Sequence, residues 1–123
     1  MGLPKKNRLR NRRDFRAVYS QGIRQHSIHL VLRALLTSQL EQQFSIEPTR
    51  LGISISQKVS KKAVVRNRIK RQIKAAFREL LPIIPPGWKI VIVVRSRAIE
   101  CKYEHFLREL KQLLTEAKII DGY

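Results

Sequence analysis

The sequence predicts an α+β fold in which helices pack on a sheet. Amphipathic helical segments stand near the beginning, in the middle and at the end of the chain, and residues 28–36, 50–56 and 89–94 resemble strands. Elements in this order bury their apolar faces against one another in layers. The length of 123 residues and the 43% hydrophobic content fit a single domain over residues 1–123 with a real core.

The first helix is predicted by its two ends. Residues 1–10 are basic and aperiodic, and we expect a flexible arm there. Asn11 is a favourable N-cap and Gly22 a common residue after a helix end, so the helix covers about residues 12–19. One face of this helix carries Phe15, Val18 and Tyr19. Two of these side chains are aromatic, so the face either belongs to the core or stacks on bases of single-stranded RNA.

Three strands are predicted from apolar patterns. Residues 28–36 are mostly apolar and form the first strand, whereas residues 37–49 are polar and indicate a loop. Apolar residues alternate with small or polar ones over 50–56, which predicts a half-buried strand antiparallel to the first. The run of Val and Ile over 89–94 predicts a central strand covered on both faces, and we assign the neighbouring Trp88 to packing.

The longest helix is predicted over residues 61–81, with Ser60 as its N-cap and Pro82 at its end. Its apolar positions form one stripe, which comprises Val65, Ile69, Ile73, Ala76, Phe77 and Leu80. The segment 58–78 carries nine Lys or Arg and no Asp or Glu. An ordinary solvated helix face mixes charges in i,i+4 pairs, so this face indicates contact with a polyanion. A last amphipathic helix covers residues 103–117.

The net charge of +17 is extreme for this length. Charge on that scale repels itself and costs stability, which indicates an anionic partner. Nucleic acid is the first interpretation and an anionic membrane surface the second, but no apolar run is long enough for a membrane span or a signal peptide. A second basic block, residues 1–33, holds nine Lys or Arg against one acid, Asp14. The two blocks indicate one extended positive surface or two faces that meet two features of a partner.

Candidate catalytic groups are scattered along the chain. The single cysteine, Cys101, excludes a disulfide framework and a cysteine-based zinc site. The histidines lack ligand spacing, and His26 and His29 fall in a stretch that resembles a strand, where residues three apart face opposite sides. The acids are mostly isolated, and the glycines form no phosphate-binding loop. The sequence therefore predicts no catalytic residue in the protein and leaves any metal site unknown.

The motif helix resembles a known family. Residues 59–78, VSKKAVVRNRIKRQIKAAFR, are similar to the Arg-Asn-Arg helix of the bacterial ribonuclease P protein subunit. RLRNRRDFRAVYSQG resembles the first helix of that family, RLGISIS the strand before the motif, and WKIVIVVRSRAIECKYEHFLREL the last strand and helix. The resemblance implies an α-β sandwich of αβββαβα order, similar to domains of ribosomal proteins, with a left-handed crossover.

The resemblance also implies a function. Ribonuclease P removes the 5′ leader of precursor tRNA, its RNA subunit is the catalyst, and the protein subunit binds the leader and the catalytic RNA. The expected partners are therefore ribonuclease P RNA and precursor tRNA in the cytoplasm, with no membrane and no required protein partner. The expected cofactor is Mg²⁺, bound mainly by the RNA subunit and the substrate.

The resemblance places the RNA contacts on two groups of residues. The group expected to face the catalytic RNA comprises Lys58, Lys61, Lys62, Arg66, Asn67, Arg68, Lys70 and Arg71. The group expected to bind the leader comprises Phe15, Tyr19, Arg12, Arg16, Arg33, Ser54 and Ser56. Some relatives have an aromatic residue where Arg33 falls, which would exchange a stacking contact for a phosphate or guanidinium contact. The turn at residues 60–62 is also longer and more basic than the glycine-containing turn of many relatives.

Three other functions compete with this one. A ribosomal protein or general RNA chaperone of the same sandwich type would bind structured RNA without a role in cleavage. A protein nuclease acting alone is a second alternative, against which the lack of a metal-binding carboxylate cluster argues. A membrane-active basic protein is a third, but its helices would have to leave the core that the strands require.

Overall fold

The computed structural model of the chain describes residues 3–37 and 47–121. The helices and strands are α1 (Arg12–Gln21), β1 (Ile23–His26), β2 (Leu30–Leu36), β3 (Arg50–Ser54), α2 (Ala63–Leu80), β4 (Trp88–Val94) and α3 (Tyr103–Glu116). Short 3-10 turns occupy Lys5–Asn7, Leu81–Ile83 and Ser96–Glu100. The α+β class and the αβββαβα order are confirmed. Most of the loop predicted at 37–49 lies outside the described residues.

The four strands form one sheet in the order β1-β2-β4-β3. β2 pairs antiparallel with β1 and with β4, whereas β3 pairs parallel with β4. The central position predicted for β4 is confirmed. β3 runs antiparallel to β2, as expected, but β4 lies between them. α2 is the crossover from β3 to β4, and its left-handed sense remains what the resemblance implies.

The single strand predicted over 28–36 is wrong at its N-terminal end. β2 begins at Leu30, and β1 precedes it as a hairpin partner that the sequence did not predict. The connection is tight, with the Ser27 amide donating to the Leu30 carbonyl at 2.8 Å. His26 therefore lies on β1 and His29 in the turn, and the two do not share a strand. β1 was missed because its residues lack a clear apolar alternation.

The two faces of the sheet bury different amounts of apolar surface. One face carries α2 and α3 and the main core, and the predicted stripe of α2 packs there, fully buried except for the half-buried Val65. The other face carries α1 and a small cluster of four buried residues, Leu9, Val18, Leu35 and Val91. Alternation along the strands assigns each strand side chain to one of these faces.

Residues 3–10 run along the outer edge of β3. Leu3 and Leu9 are buried, and the Leu9 amide donates to the Leu51 carbonyl at 2.9 Å. The Asn7 side chain donates to the Thr49 carbonyl at 2.8 Å. This packed course differs from the flexible arm expected for residues 1–10, of which residues 1–2 lie outside the described ranges. The two buried leucines are too widely spaced to form a visible pattern in the sequence.

The ends of the helices agree with the predictions to within two residues. Asn11 caps α1 by accepting from the Arg13 amide at 2.9 Å. α2 begins at Ala63 with Lys62 as its N-cap, and Ser60 instead accepts from the Lys62 amide at 3.2 Å. Gly22 ends α1 where a Cβ atom would lie 2.7 Å from the Ala34 carbonyl oxygen. A glycine is required there because the chain passes directly against β2.

Candidate nucleic-acid interface

The face of the sheet under α1 has one row of side chains that the helix leaves open. Pairing across the four strands aligns His26, Val31, Val93 and Ser54. Val31, Val93 and Ser54 are half-buried and His26 is exposed. This row, called the cleft floor below, is an apolar strip with a polar residue at each end. Ser54 was predicted from the resemblance, whereas Val31 and Val93 were not singled out.

One flank of α1 forms a wall beside the cleft floor. Phe15, Tyr19, Arg12 and Arg16 fall within about 100° of one another around the helix axis. Phe15 is half-buried, Tyr19 is 38% exposed, and both arginines are exposed. The other flank is held to the sheet by an ion pair of 2.8 Å between Asp14 and Lys89. The structure thus brings four of the predicted leader residues together.

Phe15 packs over a glycine, Gly52, which leaves room for its ring. A Cβ atom on Gly52 would overlap the Phe15 ring, so the ring rests directly on the β3 backbone. The rest of the ring packs beside the small α1 cluster. Phe15 is therefore both a packing residue and a partly open aromatic surface, and the two interpretations from sequence are compatible.

Arg33 joins the wall to the sheet. Its Nη2 donates to the Tyr19 carbonyl at 2.7 Å, and its guanidinium lies 5.0 Å from the centre of the Tyr19 ring. This cation–π contact covers one side of the tyrosine. Ser56, the last predicted leader residue, lies beyond the end of β3, exposed, and accepts from the Lys58 amide at 3.2 Å. Ser56 thus lies outside the paired residues that form the cleft floor.

The Arg-Asn-Arg motif in the first turns of α2 does not form one face. Residues two apart on a helix project about 200° apart. Arg66 is half-buried and donates to the Ser60 carbonyl at 2.8 Å, whereas Arg68 is exposed and donates to the Ile99 carbonyl at 3.3 Å. Asn67 is exposed between them. The motif therefore presents two separate basic flanks.

The other residues predicted to face the catalytic RNA lie around these flanks. Lys58, Lys61, Lys62 and Arg71 are exposed. Lys70 is half-buried, and it lines a pocket at the outer edge of β3 together with Arg8, Arg10, Phe15 and Lys74. Burial lowers the pKa of Lys74, and the charges of Arg8, Lys70 and Arg10 lower it further.

Three members of this pocket, Arg8, Arg10 and Lys74, were missed as site residues. Lys74 could have been found, because Arg66, Lys70 and Lys74 repeat at intervals of four and so share a flank. Arg8 and Arg10 could not, because only the packing of residues 3–10 on β3 brings them there. The pocket joins the α1 wall at Phe15 to the α2 surface at Lys70.

One group of potential metal ligands occurs among the described residues. Atoms of His29, Cys101 and Glu109 lie within 4.8 Å of one another. The Glu109 carboxylate is already engaged, since it accepts from the Ser27 hydroxyl at 2.5 Å and the His29 amide at 2.9 Å, and contacts His29 Nδ1 at 2.6 Å. Burial raises the pKa of the Cys101 thiol. These contacts tie α3 to the β1–β2 turn.

No helix within the described ranges is long and apolar enough to cross a membrane.

Comparisons with known proteins agree with one another. The family model described as Ribonuclease P matches residues 3–118. The ribonuclease P protein component of Rippkaea orientalis is 62% identical, covering 100% of this chain and 95% of the relative, and that of Microcystis aeruginosa is 59% identical over the full length of both. The solved RNase P protein of Staphylococcus aureus superimposes with a TM-score of 0.80 at 27% identity, covering 95% of this chain and 100% of that one. The Thermotoga maritima RNase P protein gives a TM-score of 0.73 at 27% identity, covering 89% and 96%.

Proposed function

Because the chain belongs to the ribonuclease P protein family, we propose that it binds the 5′ leader of precursor tRNA and promotes removal of that leader. The family assignment makes it a component of an endoribonuclease complex whose partner is ribonuclease P RNA. In our proposal the RNA subunit performs the cleavage, and the protein supplies affinity and orientation for a substrate that both subunits hold.

The observation that carries the proposal is the open cleft floor beside an aromatic and basic wall. Single-stranded RNA binds proteins through bases stacked on aromatic rings and phosphates neutralised by Arg and Lys. Phe15 offers the ring, Arg12 and Arg16 offer the charges, and the half-buried Val31 and Val93 offer an apolar floor. None of these groups reads a particular base by a pattern of hydrogen bonds. Such a cleft suits leaders of many sequences.

We further propose that α2 and the preceding turn bind the catalytic RNA. The exposed Lys61 and Lys62 stand at the N-terminus of α2, where the helix dipole adds to the positive potential. A cationic helix start is unfavourable in isolation and favourable against phosphate. Because Arg66 and Arg68 point to different flanks, they would contact different parts of the RNA. Arg66→Glu and Arg68→Glu should therefore each weaken assembly with ribonuclease P RNA, which a gel-shift titration would measure.

We assign Mg²⁺ to the RNA subunit and the substrate. Mg²⁺ prefers oxygen ligands in octahedral geometry. Within residues 3–37 and 47–121, the one group of potential ligands is His29, Cys101 and Glu109, and its carboxylate is engaged in hydrogen bonds. This mixed nitrogen, sulfur and oxygen set does not fit Mg²⁺.

Reconstitution tests the proposed function. The protein is combined with ribonuclease P RNA, and 5′ cleavage of a precursor tRNA at low Mg²⁺ is compared with cleavage by the RNA alone. We expect the protein to restore correct cleavage and to favour precursor over mature tRNA. Binding without stimulated cleavage would instead support a ribosomal protein or RNA chaperone. Cleavage by the protein without any RNA subunit would make it a nuclease in its own right.

A further inference from the structure

Two arginines lie opposite each other on the face of the sheet that carries α1. Arg24 on β1 and Arg33 on β2 are register partners in an antiparallel pair. Directly opposite residues project to the same face, with Cβ atoms about 4.5–5.5 Å apart, and like charges at such positions are destabilising. The ion pairs in the described part of the chain are His29–Glu109 and Lys89–Asp14, and neither includes these arginines.

Capping of α1 explains only part of this arrangement. Arg33 Nη2 satisfies the Tyr19 carbonyl in the last turn of α1, a common task for a basic side chain. The Nε of Arg33 is buried and has no hydrogen-bond partner within the described ranges. A guanidinium has five N–H donors, so capping uses a small part of its capacity. It also gives no reason for a second positive charge at the exposed Arg24.

The position of the pair relative to the cleft floor suggests its ligand. Arg33 lies next to Val31 along the same face of β2, and Arg24 lies next to the exposed His26 along the same face of β1. The pair therefore stands at the β1 end of the cleft, beside Tyr19. The Tyr19 ring has Arg33 on one side, which holds the guanidinium in a fixed orientation. A fixed guanidinium beside a second, exposed one is a suitable donor set for the oxygens of one phosphate.

We propose that Arg24 and Arg33 form a phosphate subsite that binds one phosphodiester of the single-stranded leader. The proposal rests on the proposed function, because it places the leader backbone at this end of the cleft. It assigns Tyr19 mainly to holding Arg33, and leaves Phe15 as the ring on which a leader base stacks. The bound phosphate would offset the repulsion between the two arginine side chains.

The test compares Arg24→Gln with Arg13→Gln in the assembled holoenzyme. Arg13 is exposed on α1 outside the cleft flank, so both variants lose one positive charge. We expect Arg24→Gln to weaken the binding of precursor tRNA severalfold and to leave the binding of mature tRNA unchanged. It should also lower the slope of log affinity against log salt by about 1. Arg13→Gln should do none of these. Equal effects of the two variants would overturn the subsite.

A neutral linkage in the leader identifies the contact itself. A series of precursor tRNAs carries one methylphosphonate each, at successive positions of the leader. The wild-type holoenzyme should bind one member of this series more weakly than the others. Arg24→Gln should show no further loss of affinity for that member. Additive losses at every position would overturn the subsite while leaving the proposed function intact. If the wild-type holoenzyme bound precursor and mature tRNA equally, the proposed function and the subsite would both fail. The free Arg24→Gln protein should be at least as stable as wild type, since a repulsion is removed.

Discussion

The two faces of the sheet are both bordered by basic helices, yet they differ in what their apolar residues do. On the α2 and α3 face, residues such as Phe77 and Phe106 are completely buried. On the α1 face, four residues are buried and the adjacent Val31 and Val93 stay half-open. The difference separates two uses of apolar surface. Closed apolar surface holds the fold together, and the open strip next to Phe15 is available to a ligand.

The largest effect expected is one that both faces share, because both carry uncompensated cations. If binding neutralises roughly 6–10 phosphates, the affinity for RNA should fall about 10³–10⁵-fold when the salt concentration rises from 50 to 200 mM. Titration of the protein with ribonuclease P RNA at a series of salt concentrations measures this slope. A nearly constant affinity would deprive both basic surfaces of their proposed role.

A matched pair of phenylalanine substitutions tests the contrast in packing. Phe77→Ala removes a fully buried ring from the main core and should lower the free energy of unfolding by about 3–5 kcal/mol. Phe15→Ala removes a half-buried ring from the smaller cluster and should cost clearly less. Urea denaturation of both variants gives the two values. Equal losses would mean that the α1 face is as much a folding core as the other.

The loss of folding stability at low pH should come from the contacts of Glu109, where α3 meets the β1–β2 turn. Burial alone would raise the pKa of Glu109, but hydrogen bonds from Ser27 and His29 outweigh it, and the pKa lies below its ordinary value of 4.5. Because the folded-state pKa is the lower one, this stabilisation is present above pH 4.5 and is lost as the pH falls through the folded-state value.

Glu109→Gln should cost about 1.5–3 kcal/mol at neutral pH, the range for hydrogen bonds to charged groups. It should also flatten the decline of stability between pH 5 and 3, which thermal unfolding across that range would detect. An unchanged acid profile in the variant would contradict this assignment. Glu104→Gln, which removes one carboxylate at an exposed position of α3, serves as the control for net charge.

The smallest effect expected is the loss of one stacked base. Phe15→Ala should weaken the binding of precursor tRNA by about 1–3 kcal/mol and the binding of mature tRNA much less. The two binding constants, measured for the variant and the wild type, give this difference. Gly52→Ala would displace the ring without removing it and should give a loss of the same sign. If the affinities for precursor and mature tRNA fell equally, Phe15 would act through folding alone.

The sequence predicted those parts of the molecule that depend on local periodicity. The apolar stripe from Ile69 to Leu80 and the continuous strand at Trp88–Val94 are both present. β1 was missed because three of its four residues are exposed, so its place in the sheet depends on pairing with β2 and not on an apolar pattern. The pocket at the edge of β3 was missed for a similar reason, since Arg8 and Lys74 meet only in three dimensions. The divergence of Arg66 and Arg68 follows from helical geometry and was available from the sequence.

The place of β4 in the sheet has a consequence for synthesis of the chain. β4 joins the β1–β2 hairpin to β3, yet Trp88–Val94 is the last of the four strands to leave the ribosome. The basic segments at 1–33 and 58–78 are therefore made before the sheet that fixes them can close. Non-local pairing of this kind slows folding, because distant segments must meet before contacts stabilise them. The nascent protein thus emerges as a polycation without its core, and the two basic surfaces proposed to bind RNA acquire their shapes together when the central strand inserts.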